Sequence, residues 1–206
     1  MSQPFYHLEQ QSGVWILRLN SSDHTNRLTR DCVTALYTAL QKIGENAKPL
    51  IITGNQQFFS VGADLEEIAM LNGPDAYEFS KMGQALMTAV EQFPAPVHAA
   101  VSGYCMGGGL DLALSCHHRV AAPNAIFGHR GAALGLITGW GGTQRLPRLV
   151  GKAVALEIFV AAEKIDAHRA LALGLAETVA DDPVAETLRQ ITTGRAPNVG
   201  RHDGAV

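Results

Sequence analysis

The chain has 206 residues, of which 47% are hydrophobic, and this is enough to bury one substantial core. Its 16 basic and 19 acidic residues give a net charge of −3, and no run of basic residues concentrates positive charge. This composition excludes the electrostatic footprint of a nucleic-acid-binding protein. We therefore expect one compact domain whose partners are small polar or amphiphilic molecules rather than nucleic acid.

Three features that the sequence lacks bear on location and redox state. No apolar run approaches the length of a membrane span, and the start, Met1-Ser2-Gln3-Pro4, has neither the charged nor the apolar region of a signal peptide. We therefore predict a cytoplasmic protein with no membrane partner.

Cys32, Cys105 and Cys116 are odd in number and widely spaced, so they predict reduced core thiols and neither a disulfide framework nor a zinc site.

The first part of the chain predicts a βαβ unit. Val14–Leu19 is rich in β-forming residues, and residues 50–54 form a short apolar run typical of a strand in a parallel sheet. Between them, Thr29 can cap a helix whose apolar residues recur at spacings of three and four. These residues are Val33, Leu36, Leu40 and Ile43. Two strands joined through a helix in this way are connected with right-handed topology.

The rest of the chain alternates strands, helices and glycine turns. The predicted helices are at 75–93, from Asp111 to about Cys116, at 139–148 after a glycine turn, and near 151–162 and 166–173. The predicted strands are at 97–101 and 119–122. Loops are predicted at 58–67, where Asp64 can start a helix, and at 127–131. The tail from Thr192 to Val206 is rich in glycine and polar residues, which predicts disorder.

Two glycine turns are candidates for a functional site. The run Gly103-Tyr104-Cys105-Met106-Gly107-Gly108-Gly109 leads from an apolar strand into a helix, and Gly62 follows a strand end in the same way. Glycine lets the backbone approach a ligand closely, and the first amides of a helix have no partner within it. Such amides can stabilise an oxygen that becomes negative. The alternative is that the glycines only let strand and helix pack tightly, and the triplet alone favours neither.

Three segments together resemble the crotonase, or enoyl-CoA hydratase/isomerase, superfamily. They are Phe59-Ser60-Val61-Gly62-Ala63-Asp64-Leu65, Ala100-Val101-Ser102-Gly103-Tyr104-Cys105-Met106-Gly107-Gly108-Gly109, and Gly139-Trp140-Gly141-Gly142-Thr143-Gln144-Arg145-Leu146. The resemblance implies an α/β fold, the ββα spiral with two sheets, instead of a simple parallel βαβ sheet. It also implies an acyl-CoA thioester as substrate, with coenzyme A as part of the substrate and no covalently bound cofactor, and a homotrimer or a hexamer built from two trimers.

The resemblance also implies a division of the chain and the residues of the site. Residues 1–180 would form the crotonase-like acyl-CoA-binding core, and residues 181–206 a short, partly disordered C-terminal segment, so that the helical region covering the site is shortened. Carried over by position, the two oxyanion-hole amides are those of Ala63 and Gly108. The acyl-CoA contact segment is Ala63-Asp64-Leu65-Glu66, and Glu66 stands where a lysine is common. Arg27 could compensate for the phosphate-binding charge that is missing there.

The acidic positions depart from the family pattern. Hydratases of this family carry one glutamate three residues after the middle glycine of the triplet and a second glutamate further on. Here the first position is Asp111, which is one methylene shorter, and the second is Gly131. His129 is close to the vacant position, and an imidazole can act as acid or base near neutral pH. We therefore predict Asp111 and His129 as the catalytic pair and no metal site.

Three functions stay open on the sequence. The first is an enoyl-CoA hydratase/isomerase-type enzyme that stabilises a thioester enolate in the two-amide oxyanion hole. The second is a different reaction on the same scaffold, thioester hydrolysis or decarboxylation, for which one polar group can suffice. The third is a catalytically weak acyl-CoA binding protein.

Overall fold

A computed structural model describes residues 2–194 and assigns their strands to two principal sheets and a short ribbon. The strands are β1 Ser2–Gln3, β2 Tyr6–Gln11, β3 Val14–Leu19, β4 Arg27–Leu28, β5 Leu50–Thr53, β6 Phe58–Ser60, β7 Gly62–Ala63, β8 Val97–Val101, β9 Tyr104–Met106, β10 His118–Ala121, β11 Ile126–Gly128, β12 Lys164–Asp166 and β13 Thr178–Val179. Over these residues the main sheet has the order β1-β2-β3-β5-β8-β10-β13, the second sheet has the order β12-β11-β9-β6, and the ribbon pairs β4 with β7.

Within the described residues, eight α-helices come between the strands along the chain or, in one case, after the last strand. They are α1 Arg30–Gly44, α2 Leu65–Ala69, α3 Gly73–Glu91, α4 Gly108–Ser115, α5 Gly142–Val150, α6 Lys152–Ala161, α7 Ala167–Ala172 and α8 Pro183–Thr193, with a short 3-10 helix at Gly131–Leu134. Successive strands are placed alternately in the main and the second sheet: β5 then β6, β8 then β9, β10 then β11. Helices follow each of these pairs: α2 and α3 come after β6, α4 after β9, and α5 and α6 after β11. This is the ββα spiral that the family resemblance implies, so the predicted fold class is confirmed.

The βαβ unit predicted for the first part of the chain is confirmed, but it is not repeated along the rest of the chain. β3 and β5 are parallel neighbours joined through α1, with Trp15 opposite Leu50. Beyond β5 the simple unit does not recur, because a strand of the second sheet interrupts each connection between neighbouring main-sheet strands. Residues 127–131, predicted as a loop, begin inside β11, which pairs with β9. Such three-residue strands are held by pairing with distant segments, which local periodicity cannot reveal.

The alternation of side chains in the main sheet divides the core in two. Leu17, Ile52 and Ala99 on one face pack with α1, α3 and α4 in the large hydrophobic core. On the opposite face a smaller cluster forms between the sheet and α8. Its members are Val14, Ile16, Ile51 and Ala100 from the sheet, with Val184, Leu188 and Ile191 from the helix.

The start and the buried face of helix α1 agree with the prediction from the sequence. Thr29 is the N-cap, and its hydroxyl accepts a hydrogen bond from the amide of Cys32. All four residues predicted for the inner face are buried. The predicted tail begins inside α8, because Thr192 and Thr193 are helical. The remainder of the tail prediction lies outside the described residues. Within residues 2–194, no helix has the length and apolar character needed to cross a membrane.

Candidate active site

A cavity of about 470 Å³ opens between the two glycine turns and the segment that precedes α5. Most of its wall is apolar, with side chains from α2 and α3 that include Leu65, Ile68 and Phe79. The predicted oxyanion and catalytic residues line the same cavity. They are Ala63, Gly108, Asp111 and His129. Four positions far apart in the sequence therefore line one cavity.

The two predicted oxyanion amides adjoin each other. Gly107 is the N-cap of α4 with φ +53°, and Gly62 has φ +89°, so both turns use the left-handed region that favours glycine. A Cβ built on Gly108 would lie 3.3 Å from the Ala63 nitrogen, and one built on Gly62 would lie 2.6 Å from the Gly108 nitrogen. Gly108 is the first residue of its helix, so its amide has no acceptor within the helix. Two main-chain donors thus stand side by side at the cavity wall.

Asp111 is buried one turn into α4, where only 2% of its surface is exposed. One carboxylate oxygen, Oδ2, accepts a hydrogen bond from the Thr138 hydroxyl. The other oxygen, Oδ1, has no hydrogen-bond partner within the part of the chain that the structure describes. A buried carboxylate oxygen without a partner is costly, because it has lost its water without gaining a donor. This oxygen is therefore available to a substrate or a water molecule in the cavity.

His129 lies directly beyond β11 and faces that free oxygen. Its Nε2 is 3.4 Å from Asp111 Oδ1, and its ring packs edge-on against Phe159 with 5.5 Å between centroids. The residue is 6% exposed, and among the described residues Nε2 also has no hydrogen-bond partner. A carboxylate oxygen and an imidazole nitrogen, neither with a hydrogen-bond partner in the described structure, thus lie close together in a largely apolar cavity. Both predicted catalytic side chains meet here.

Gly131, at the position of the missing second glutamate, has no room for a side chain. It begins the 3-10 helix, and a Cβ built on it would lie 2.8 Å from the backbone oxygen of Leu136. The chain after Gly131 folds back through the space that a carboxylate would need. The second acidic group of the usual pair is therefore replaced by backbone, and His129 is the nearest titratable group to Asp111 Oδ1 that the contacts identify.

Comparison with known proteins identifies the family of this chain. The family model for enoyl-CoA hydratase/isomerase matches residues 9–197. This chain belongs to that family. A crotonyl-CoA hydratase of Syntrophomonas wolfei is 37% identical over 175 residues, which are 84% of this chain and 67% of the relative. A short-chain-enoyl-CoA hydratase of Clostridium acetobutylicum is 34% identical over 177 residues, which are 84% of this chain and 68% of the relative.

Solved structures of the enoyl-CoA hydratase/isomerase family share the fold. The crystal structure of an enoyl-CoA hydratase from Bacillus anthracis superposes with a TM-score of 0.86 at 34% identity, covering 92% of this chain and 76% of that chain. One from Thermoplasma volcanium gives a TM-score of 0.88 at 29% identity, covering 93% and 77%. This chain spans about two thirds of the length of the curated family members quoted above.

The predicted acyl-CoA segment of this family member is ordered by its own side chains. Asp64 caps α2 by accepting hydrogen bonds from the amides of Glu66 and Glu67. Burial tends to raise the pKa of Asp64, but the two amides and the Arg27 guanidinium outweigh it and hold the pKa below its usual value. Arg27 bridges Asp64 and Asp23, with 3.3 Å to each carboxylate. Arg27 therefore already has two acidic neighbours, and Glu66 is exposed.

The sequence did not predict the contact of Thr138 with Asp111 or the packing position of Trp140. Thr138 lies between the 3-10 helix and α5. Trp140 is buried against Phe79, with 5.3 Å between ring centroids, and against the bare backbone of Gly83 and Gly108. Gly83 interrupts the apolar pattern of α3, and such a glycine is a signal that a bulky side chain packs against the helix. The hydroxyl of Thr138 carries no such local signal.

Proposed function

We propose that this chain adds water reversibly to the double bond of a 2-enoyl-CoA thioester. One observation carries the proposal. Asp111 Oδ1 and His129 Nε2 are 3.4 Å apart, buried and without partners in the described structure, and they line the same cavity as the adjoining amides of Ala63 and Gly108. A site of this kind combines a place for a reacting water with a place for the oxygen that becomes negative.

The thioester carbonyl binds between the amides of Ala63 and Gly108. As the C2 carbon gains charge, this oxygen becomes enolate-like, and main-chain donors fixed in place stabilise it more strongly than they stabilise the neutral carbonyl. Removing one such donor costs roughly 3–4 kcal/mol of transition-state stabilisation in enzymes where this was done. The fixed turn at Gly107 and the start of α4 supply this preorganisation.

Water is activated between the two free polar atoms. Asp111 Oδ1 accepts a proton from a water molecule that also contacts His129 Nε2, and the water oxygen forms a bond to C3. The electron pair of the double bond moves toward the thioester oxygen, and C2 then takes a proton from the acid formed in the first step. The product is a 3-hydroxyacyl thioester, and the reverse sequence eliminates water. A positioned acid or base of this kind contributes about a hundredfold to ten-thousandfold in rate.

The coenzyme A part of the substrate is proposed to lie along Ala63, Asp64, Leu65 and Glu66, with Arg27 beside it. The cap at Asp64 supports this part of the proposal, because it fixes the backbone that the ligand would contact. The guanidinium of Arg27 can turn toward a phosphate only by giving up an ion pair with Asp64 or Asp23. We therefore expect Arg27 to contribute modestly to affinity and little to turnover.

A homotrimer or hexamer in the cytoplasm belongs to the same proposal. The family resemblance motivates it, and α6 presents apolar side chains that the described chain leaves open, with Leu156 64% and Val160 69% exposed. Light scattering coupled to size-exclusion chromatography gives the mass directly. A monomer at micromolar concentration contradicts this part of the proposal without touching the catalytic part.

The experiment that tests the function is turnover of a panel of enoyl-, 3-hydroxy- and β-keto-acyl-CoA esters by the wild type and the Asp111→Asn and His129→Gln variants. Products are followed by mass spectrometry, and binding by calorimetry on the same samples. We expect water addition by the wild type, a loss of at least a hundredfold in Asp111→Asn, and retained binding. Release of free coenzyme A or of carbon dioxide instead favours hydrolysis or decarboxylation, and binding without chemistry favours a binding protein.

A further inference from the structure

We infer that Thr138 is a positioning residue that selects which oxygen of Asp111 performs the chemistry. This inference rests on the proposed function. Its basis is that the Thr138 hydroxyl donates its hydrogen bond to Oδ2 of Asp111, while Oδ1 remains without a partner among the described residues and faces His129. A carboxylate is symmetric until a donor distinguishes its two oxygens. Thr138 supplies that distinction.

The segment that carries Thr138 is itself fixed. The next residue, Gly139, uses its carbonyl oxygen to accept a hydrogen bond from Gln84 of α3, with 2.8 Å between the atoms. Trp140 follows and is buried against α3, where its indole nitrogen donates to the Phe79 carbonyl. The β-branched side chain of Thr138 has few rotamers. Its hydroxyl is therefore held in place from the backbone outward.

Gly142 provides the space in which the two side chains meet. A Cβ built on Gly142 would lie 2.8 Å from the Thr138 methyl carbon and 3.3 Å from its hydroxyl oxygen, and closer still to Asp111 Oδ1. The hydroxyl and the carboxylate thus converge over a position that has no side chain. The aspartate is one methylene shorter than the glutamate of the family pattern, so we infer that another side chain orients its carboxylate. Among residues 2–194, Thr138 is the only side chain that donates a hydrogen bond to it.

The groups beside Asp111 are identified by their contacts. His129 faces Oδ1, and Arg130 lines the same cavity. Cys105 is also close, but burial raises its thiol pKa well above the ordinary value, so it stays neutral in the working range. Removal of the Thr138 hydroxyl therefore changes the position of the Asp111 carboxylate relative to His129, and the effect should appear in kcat rather than in KM.

The test compares Thr138→Val, which removes the hydroxyl and keeps the shape, with Thr138→Ser, which keeps the hydroxyl. We expect kcat on the substrate that the wild type hydrates to fall roughly tenfold to hundredfold in Thr138→Val, with KM within about twofold. Thr138→Ser should restore kcat to within a few-fold of the wild type. Thr138→Ala is the second variant if the valine protein does not fold.

A matched control separates positioning from general stability. Thr53 is also buried and also donates its hydroxyl in a hydrogen bond, to the Ala100 carbonyl, but it does not line the cavity. Thr53→Val should lower the free energy of unfolding and leave kcat and KM unchanged. If folded Thr138→Val or Thr138→Ala keeps the wild-type kcat while Asp111→Asn is inactive, the inference about Thr138 is overturned and the proposed function stands. If Asp111→Asn retains wild-type turnover, the proposed function fails first.

Discussion

The carboxylate of Asp111 lies directly over the α-carbon of Gly142. A Cβ built on Gly142 would lie 2.2 Å from Asp111 Oδ1, well inside any contact that real atoms make. Gly142 begins α5, and Asp111 lies near the start of α4, so two helix starts meet around one carboxylate. The bare backbone at Gly142 is what lets Asp111 point into the cavity beside His129.

Substitution of Gly142 should therefore displace the carboxylate of Asp111. In Gly142→Ala we expect kcat for hydration to fall on the order of a hundredfold, because a misplacement of about 1 Å costs that much. Binding of the thioester should change less, since the amides of Ala63 and Gly108 are not moved. Gly73→Ala is the matched control: Gly73 also begins a helix, and a Cβ there meets no atom within 4 Å. Equal activity in the two variants would contradict the role given to this contact.

The packing of Trp140 on α3 gives a prediction about stability. A Cβ on Gly83 would lie 2.2 Å from the indole of Trp140, which is buried. Gly83→Ala should lower the free energy of unfolding by about 1–3 kcal/mol, despite the better helix propensity of alanine, because the core has no room. Urea denaturation measures this directly.

Two further variants test the cause of that destabilisation. Gly44→Ala, at the end of α1, meets nothing closer than 3.7 Å and should be neutral or slightly stabilising. In the double variant Gly83→Ala/Trp140→Phe the two effects should not add, because the smaller ring relieves the clash. Strict additivity would mean that Gly83 matters for another reason.

His98 gives a pH dependence of stability. Burial, and then the neighbouring His118, lower the pKa of His98 to about 4 from an ordinary value of 6.5. Between these two values the unfolded chain binds a proton that the native chain does not, so stability falls as the pH drops from about 6.5 and levels off near 4. The shift corresponds to about 3 kcal/mol in total.

The non-titrating variant His98→Phe isolates this contribution. His98 stacks on His118 at 4.8 Å between centroids, and an aromatic ring at the same position can keep that contact. We expect the difference in unfolding free energy between pH 7.5 and pH 4.5 to be smaller in the variant than in the wild type by about 2–3 kcal/mol. Identical pH dependence of the two proteins would show that His98 is not held neutral.

The buried ion pair beneath this histidine stack should be sensitive to loss of either partner. Arg119 donates to Glu177 at 3.0 Å and to the carbonyls of Leu175 and Cys116, and both side chains are almost completely buried. Glu177→Gln leaves the guanidinium uncompensated and should cost about 3–5 kcal/mol of unfolding free energy. A change below about 1 kcal/mol would show that the two carbonyls alone satisfy Arg119.

Local signals in the sequence predicted the parts of the fold that neighbours along the chain determine. The cap at Thr29, the buried face of α1 and the strand Val14–Leu19 all follow from spacing and residue type, and all are confirmed. Helix α8 was not predicted, although Val184, Leu188 and Ile191 have helical spacing after the capping residue Asp182. The polar character of the surrounding residues masked a signal that was present.

The remaining features depend on contacts between distant segments. The three-residue strands β9 and β11 pair with each other across more than 20 positions of sequence, and no short window can show that. The family resemblance located Asp111 and the vacancy at Gly131, and it pointed to His129 only by adjacency. It could not place Thr138, because its bond to Asp111 spans 27 positions and depends on the fold of the whole loop.

The most direct test of the central claim is incorporation of oxygen-18 from labelled water into a 2-enoyl-CoA ester. The claim is that Asp111 Oδ1 and His129 Nε2 together activate a water molecule for addition to C3. We predict that the wild type forms 3-hydroxyacyl-CoA that carries the heavy oxygen, and that Asp111→Asn binds the same ester with little or no labelled product. The claim would be contradicted if the wild type forms no labelled 3-hydroxyacyl-CoA, or if Asp111→Asn forms as much labelled product as the wild type.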